Sequence, residues 1–492
     1  MTLFLFFVLM IVISNINYKK NKYNNLLYLF VLFFVVIVYI VFSANSYSNI
    51  NFLPKRNLNI YFHTGNFYNW LMTSFFNFKL SLDVNTDFVS YLSNLPSEYL
   101  LNQNSLPMEV KMFYDTSIYD NKLYLYFGIT PIILFYAPFY LITHFFISDQ
   151  IVYVFVSILI FILQLLILKK FLLYLIQTNI LRNNINKYFT ITTLIILSLC
   201  NDIPLTYISI TIHSIAVLTS IFCQLVAIYL CLLLKNDFSK SKMFLIGMFL
   251  ALSIGSRPSS IIILLLIFIF ILYMFNIKKY WKQYVFFFIP IVFYAIVLAL
   301  YNYLRFDSVF DFGYTYQFSP LYQKGLTQNM NHSFTDFMRH VFLNFFHLPT
   351  FTFLNPLCVF KNYDKVSYFE PMIGSVIICP IIVFLLIAKK FFLECLNKNK
   401  YLCLVLSIML ITGFYYLLLN SYIGSNARFV AENMFLLLVP SILSFYFFVE
   451  NINNIILKRI MNILFFAFVI FSLYVNINLI NYIFMMSKNR MI

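Results

Sequence analysis

Acidic residues are scarce in this chain. Seventeen Asp and Glu stand against 33 Lys and Arg, and charged residues of both signs make up only 10% of its 492 residues. With 62% of the residues hydrophobic, that scarcity excludes a soluble globular protein, which has no means of hiding so much apolar surface. The seven cysteines (200, 223, 231, 358, 379, 395 and 403) show no CxxC and no paired spacing. Neither a metal site nor a disulfide framework is therefore expected, and they read as small core residues. No basic region precedes the apolar first 14 residues and no small-residue cleavage site follows them. A short first span is expected there rather than a removed signal peptide. Linkers rich in Pro, Gly or Ser are also missing, as are internal repeats, so residues 1–492 read as a single membrane domain.

Aromatic residues are abundant, with 62 Phe and 38 Tyr beside plentiful Ile, Asn and Lys. The codons of an AT-rich genome favour all of these, so aromatic clusters are not read as ligand cages. The basic residues gather in short clusters between apolar runs: Lys19/Lys20/Lys22, Lys169/Lys170 with Arg182 and Lys187, Lys235/Lys240/Lys242, Lys278/Lys279/Lys282, Lys389/Lys390 with Lys398 and Lys400, and Lys458/Arg459. Short loops rich in Lys and Arg stay cytoplasmic, which predicts an all-α polytopic protein with about twelve spans, within about 11–13. The expected spans are 2–16, 26–44, 150–168, 188–202, 211–234, 243–256, 259–276, 284–304, 372–388, 401–419, 429–449 and 460–482. On this path the six clusters hold 19 of the 33 basic residues and share their segments with only Asp237, Glu394 and Glu450. The basic excess thus faces anionic lipid headgroups, and nucleic acid is not implied.

The apolar stretch Met243 to Asn276 is interrupted by Gly255, Ser256, Arg257 and Pro258. As one straight helix it would be about 51 Å long at ~1.5 Å per residue, too long for a hydrocarbon core of ~30 Å. Lysines at both ends require it to turn back. Gly255 suits the end of the outgoing helix and Pro258 the first turn of the returning one. Arg257 would then sit at a helix N-terminus, where free N–H groups and the dipole favour an anion. Residues 131–146 also resemble a span, but they are short, hold two prolines and would invert every later cluster. They are expected to form an interfacial helix.

Two long segments face outward on this path, residues 43–128 and 305–371, and embedded loops of this length are more often functional than idle. The first carries Asp83, Asp87, Glu98, Glu109, Asp115 and Asp120. Asp83 in "LSLDVN", and Asp115 and Asp120 in "YDTSIYDNKLYLYFG", are the candidates, since a carboxylate at the membrane surface suits a general base or a divalent cation beside a lipid phosphate. The plain alternative is a set of solvated loop acids. At the same edge lie Arg257, Arg305 in "NYLRFDSVFDFG" and Arg428 in "YIGSNARFVAEN". Arginine makes forked contacts with phosphate, though snorkelling anchors would look the same. Glu432 follows Arg428 by one turn, and an i,i+4 ion pair is its simplest role. His63 in "YFHTGNFYNW" and His213 within a span read more readily as structural than as catalytic.

On these residues the chain resembles the multi-spanning bacterial glycosyltransferases of the GT-C superfamily, in the broad group that is dolichyl-phosphate-mannose-protein mannosyltransferase-like or lipid-A-core transferase-like. The segments that carry the resemblance are "GNFYNWLMTSFFNFKLSLDV", "YDTSIYDNKLYLYFGITPIILFYAPFYLIT", "GMFLALSIGSRPS", "YNYLRFDSVFDFGYTYQF" and "ARFVAENMFLLLVP", in that order from about residue 60 to 445. It implies transfer of a sugar from a polyprenyl-phosphate donor to a lipid or glycan acceptor at the outer face of the bacterial cytoplasmic membrane. It also implies a catalytic acid in the first outer loop. Relatives place an acid just before a Gly-aromatic stretch, where this chain reads His63-Thr64-Gly65 and has no acid from Ala44 to Leu82. Asp83, Asp115, Asp120 or His63 must then supply the base, or the chain is inactive. A divalent cation is compatible with the loop acids, but no metal ligands are assigned. The competing class is a transporter or non-catalytic membrane protein that handles lipid-linked glycans. Charges at span ends and the lack of a repeat argue for the transferase.

The path makes a direct prediction. A cysteine placed at Ser256 should react with a membrane-impermeant thiol reagent added from outside, or at least in membranes opened from that side; labelling only from the cytoplasm would overturn the hairpin.

Overall fold

A computed structural model of the chain describes residues 35–40, 66–95, 110, 113, 116–126, 128–182, 187–201, 212–318, 333–348, 350–352, 355–359, 373–423 and 427–489. Helices dominate. α1 (Phe67–Phe76) and α2 (Thr86–Ser93) precede the strands β1 (Thr116–Tyr119) and β2 (Lys122–Leu125), followed by a π-helical turn (Ile132–Tyr136) that continues as α3 (Ala137–Thr143). The long helices are α4 (Asp149–Gln177), α5 (Lys187–Leu199), α6 (Ile212–Leu234), α7 (Lys240–Ser256), α8 (Ile261–Met274) and α9 (Ile277–Phe306, kinked at Tyr280). Beyond them come β3 (Gln317–Phe318), α10 (Phe334–Phe346), the paired strands β4 (Thr350–Thr352) and β5 (Asn355–Val359), and the short α11 (Ser375–Ile378). A 3₁₀ segment (Pro380–Ile387), α12 (Lys389–Lys398), α13 (Lys400–Ile423), α14 (Ala427–Glu450) and α15 (Ile455–Asn489) complete the order.

Helix starts follow local capping chemistry. The Ser148 hydroxyl accepts from the Ile151 N–H to open α4, and the Asn276 side chain accepts from Lys278 and Lys279 at the head of α9. α4 and α8 are apolar on all sides, which suits burial in a bundle and in lipid rather than one face against water. Five helices among the described residues are long and apolar enough to cross a membrane: Asp149–Gln177, His213–Leu234, Ile277–Phe306, Lys400–Tyr422 and Ile455–Asn478. The other expected spans differ in form. α7, α8 and α5 are shorter, residues 372–388 break at Cys379-Pro380 into α11 and a 3₁₀ segment, and residues 2–16 lie outside the described residues. The proline explains the break, since its missing N–H and its ring end the α-helical ladder. The Ile132–Thr143 helix is about 18 Å long at ~1.5 Å per residue, too short to cross. It exposes Leu141 and Ile142 while burying Phe135 and Tyr136.

Helices that follow one another along the chain, such as α6 and α7 or α13 and α14, run in opposite directions, so their ends form two layers. At one end Tyr174 donates to the Leu232 carbonyl, Tyr401 to the Cys231 carbonyl and Lys398 to the Asn179 carbonyl, while the Arg182 N–H donates to Glu450. The basic clusters at Lys169, Lys235, Lys278, Lys389 and Lys458 all belong to this end. At the other end sits a small sheet that the all-α expectation left out. β1 pairs antiparallel with β2 through the two-residue turn Asp120-Asn121, both residues having positive φ, as a tight right-twisted hairpin needs. β3 pairs with the other edge of β1, and Leu82 bridges to Leu123. The alternation in "TSIYDNKLYL" is a period-2 strand signal.

This hairpin end is clamped to the helices. Arg305, at the end of α9, donates to the Leu125 carbonyl, the Ser117 hydroxyl donates to the Gly313 carbonyl, and the Tyr119 hydroxyl to Asp307. Gly128 then lies flush against the end of α7, where a Cβ would stand 1.6 Å from the Gly255 carbonyl oxygen. Since backbone cannot yield as a side chain does, Gly128→Ala should cost at least the ~1–3 kcal/mol of an overpacked core. Thermal unfolding in detergent reads this as a lower midpoint; an unchanged midpoint would mean that the close approach is not maintained.

Candidate functional site

The site begins at the interruption in the opening apolar stretch. α7 ends at Ser256, Arg257 is extended (φ −141°, ψ 111°), and Pro258 starts a 3₁₀ turn (Pro258–Ser260) that leads into α8. The Arg257 N–H still closes on the Ser253 carbonyl, and the Arg257 carbonyl accepts from the Ser260 N–H. The backbone therefore turns with the Arg257 N–H and carbonyl both engaged.

The serines of this break brace it against α6 and α13. Ser256 donates to the Ala216 carbonyl at 2.8 Å, and Ser220 meets both Ser253 (2.9 Å) and Ser260 (2.7 Å). The Gln224 amide donates to Ser220, Ser260 and the Tyr416 hydroxyl. From the opposite side, Thr130 donates to the Leu252 carbonyl at 2.9 Å and meets Tyr294 at 2.8 Å. Two segments singled out in the sequence, the one ending at Gly128 and the one around Arg257, are thus brought into contact.

Arg257 pairs with Glu432 of α14, Nη2 to Oε1 at 2.7 Å, with side-chain exposures of 19% and 4%. The second carboxylate oxygen accepts from the Asn420 amide at 2.9 Å. Both oxygens of Glu432 are thus engaged by partners distant in sequence, while the side chain of Arg428, its expected partner, lies outside the described residues. Arg305 is buried, and its guanidinium donates to the Tyr301 and Leu125 carbonyls and to Asn302 while lying 3.7 Å over the Tyr301 ring. With its fork directed at protein acceptors, it ties the hairpin to α9.

The loop acids are arranged differently. Asp83 is 63% exposed and bonded to Lys79 at 2.8 Å, and Asp120 is 79% exposed in the hairpin turn with Lys122 at 4.0 Å. Both match the solvated-acid alternative. Asp115 and His63 lie outside the described residues. Among the described residues, no three His, Cys, Asp or Glu side chains gather as a metal site would require.

One acid escaped sequence reasoning. Asp149, the first residue of α4, is only 5% exposed. It accepts from the Tyr136 hydroxyl at 2.6 Å, and its N–H donates to Asn66. The signal was there, in an acid one step before a long apolar run, but it reads equally as an ordinary first-turn acid. Tyr68 of α1 packs on the Tyr136 ring at 5.4 Å, and its buried hydroxyl has no partner. Burial pushes the Tyr68 phenol well above its ordinary pKa; Asp149 and Tyr301 add to the rise, and the Arg257 guanidinium opposes it. Tyr68 therefore stands within electrostatic reach of both the carboxylate and the guanidinium.

No protein-family model matches the sequence, and no curated protein matches it.

The ion pair makes a stability prediction. Glu432→Gln leaves a nearly buried guanidinium unpaired and should cost about 3–5 kcal/mol, whereas replacing Arg257 and Glu432 together by Met should be close to neutral. Detergent unfolding of both variants would check this, and equal losses in the two would show that pairing is not the relevant energy.

Proposed function

We propose that the chain is a glycosyltransferase of the bacterial cytoplasmic membrane, moving a sugar from a polyprenyl-phosphate donor to a cell-envelope acceptor. The hairpin end faces outward in this reading. The observation that carries it is Arg257, a guanidinium held by Glu432 at a helix break inside an apolar bundle and still partly open. An intramembrane arginine is costly to bury and is kept where a pathway or ligand uses it. The resemblance of the ordered motifs to GT-C enzymes, and the basic clusters at the opposite end of the bundle, support the same orientation.

The chemistry divides between two charges. The sugar leaves a lipid phosphate, which gains negative charge as the bond breaks, and a preoriented guanidinium stabilises that charge without reorganising. Glu432 fixes the orientation of Arg257 and leaves the remaining N–H edges for the phosphate oxygens. The Ser259 hydroxyl, beside Arg257, is buried and has no partner among the described residues, so it is a second donor. Arg305 is not included because it is buried, with each of its nitrogens already donating to a protein acceptor, and Arg428 belongs to the candidate set by position alone. A transporter would be expected to place ionisable groups at mid-membrane. Here the buried carboxylates and guanidiniums Asp149, Glu432, Arg257 and Arg305 all lie at the hairpin end, which favours the transferase.

The test compares cells with and without the gene. Loss should raise polyprenyl-phosphate-linked sugar in lipid extracts and alter surface glycans, both measured by mass spectrometry. Restoring Arg257→Lys, which keeps the charge but not the planar fork, should relieve the accumulation only partly while the variant reaches the membrane in normal amount. Unchanged lipid-linked sugars in the deletion strain would refute the reading.

A further inference from the structure

Among the described residues, the buried carboxylates differ in how their charge is answered. Glu432 has Arg257. Asp149 has no cation at all: its oxygens face the Tyr136 hydroxyl, and its backbone is held by Asn66. The exposed acids of the first loop carry lysines, Asp83 with Lys79 and Asp120 with Lys122. An uncompensated carboxylate in a desolvated place is expensive to maintain, and a hydrogen bond from a neutral phenol offsets only part of the cost.

The surroundings of Asp149 are also incomplete. The hydroxyls of Tyr68 and Tyr301 and the Oδ1 of Asn69 are buried and have no hydrogen-bond partner among the described residues. Asn69 is placed beside Asp149 by the bond from its amide to the Ile147 carbonyl at 2.7 Å, and Tyr68 by its packing on Tyr136. Tyr301 meets the same helix, α1, through the Phe75 ring at 5.9 Å. An unmade bond to a buried polar atom is costly, so three such atoms around α1 call for a polar occupant. Tyr68 feels both the Asp149 carboxylate and the Arg257 guanidinium, so a group bonded to its hydroxyl would have a charge of each sign in the neighbourhood. A hydroxyl-rich molecule carrying a phosphate at one end has this pattern of needs.

Building on the glycosyltransferase reading, we propose that Asp149, held by Tyr136, is the carboxylate that takes the proton from the acceptor hydroxyl, with Tyr68, Tyr301 and Asn69 binding sugar or acceptor hydroxyls around it. The acceptor oxygen bonds to the anomeric carbon while the carbon–oxygen bond to the lipid phosphate breaks. The electron pair leaves with the phosphate toward Arg257, and the acceptor proton passes to Asp149, then to water as the product departs. The base thus sits at the head of a rigid helix rather than on the first loop.

Asp149→Asn keeps the shape and the acceptor for the Tyr136 hydroxyl while removing the charge. In cells lacking the gene, this variant should fail to relieve the accumulation of polyprenyl-phosphate sugar, with a transfer rate down about 100-fold or more, the usual worth of a general base. The purified variant should bind polyprenyl monophosphate in detergent within a few-fold of the wild type and melt no lower. Asp149→Glu, which retains a carboxylate on a longer arm, should restore part of the rate. Transfer by the Asn variant at the wild-type rate overturns the assignment. So does loss of polyprenyl monophosphate binding or of the folded state in the Asn variant without any rate recovered by Asp149→Glu, which would make Asp149 a packing residue. A wild-type chain that moves no sugar sinks the transferase reading itself, whatever the variants do.

Discussion

A charge placed among apolar helices is costly unless another charge answers it, and in this protein that cost couples Arg257 to Glu432. The pair joins the end of α7 to the first turns of α14, with helices α8 to α13 between them along the chain. The surrounding contacts serve the same point. The serines at 253, 256 and 260 fasten the break to α6, Gln224 and Tyr416 extend that network to α13, and Gly128 brings the hairpin segment down onto Gly255. Four helices and a loop converge on one extended residue.

That convergence gives the bundle a polar end and a basic end. The basic end is plain: exposed lysines close the helices where the chain reverses, as expected beside anionic headgroups. The polar end is more ordered. A small sheet covers it, Arg305 binds the sheet to α9, and the same end holds Asp149 and the hydroxyls of Tyr68 and Tyr301, which have no partner among the described residues. Apolar packing could fill this space at less cost. Keeping a carboxylate and a guanidinium there is what a site for a charged, hydroxyl-bearing ligand requires, and the proposed sugar transfer uses both.

Features set by local physics were legible in the sequence. Gly255 and Pro258 mark the helix break because they act on their own backbone, and the break falls where they stand. The length of residues 131–146 and its prolines limited it to a short helix for the same reason. Longer-range features were not legible. Arg428 is the neighbour of Glu432 along the helix, but only the third dimension brings Arg257 to the same carboxylate. Arg305 looked like a phosphate ligand until its acceptors, the Leu125 carbonyl among them, came into view. The strand alternation of Thr116–Leu125 was overlooked because the flanking aromatic residues suggested a surface segment. Asp149 was passed over because a first-turn acid has an ordinary explanation, and only burial without a cation distinguishes it.

The central claim is that the hairpin end holds a lipid phosphate against Arg257. It is tested most directly by an experimental structure of the protein in lipid nanodiscs with polyprenyl monophosphate. The account predicts phosphate density within hydrogen-bond distance of the Arg257 guanidinium, with Glu432 still paired to it and the prenyl chain leaving sideways between helices. Phosphate bound elsewhere, with Arg257 enclosed by protein groups alone, would contradict it.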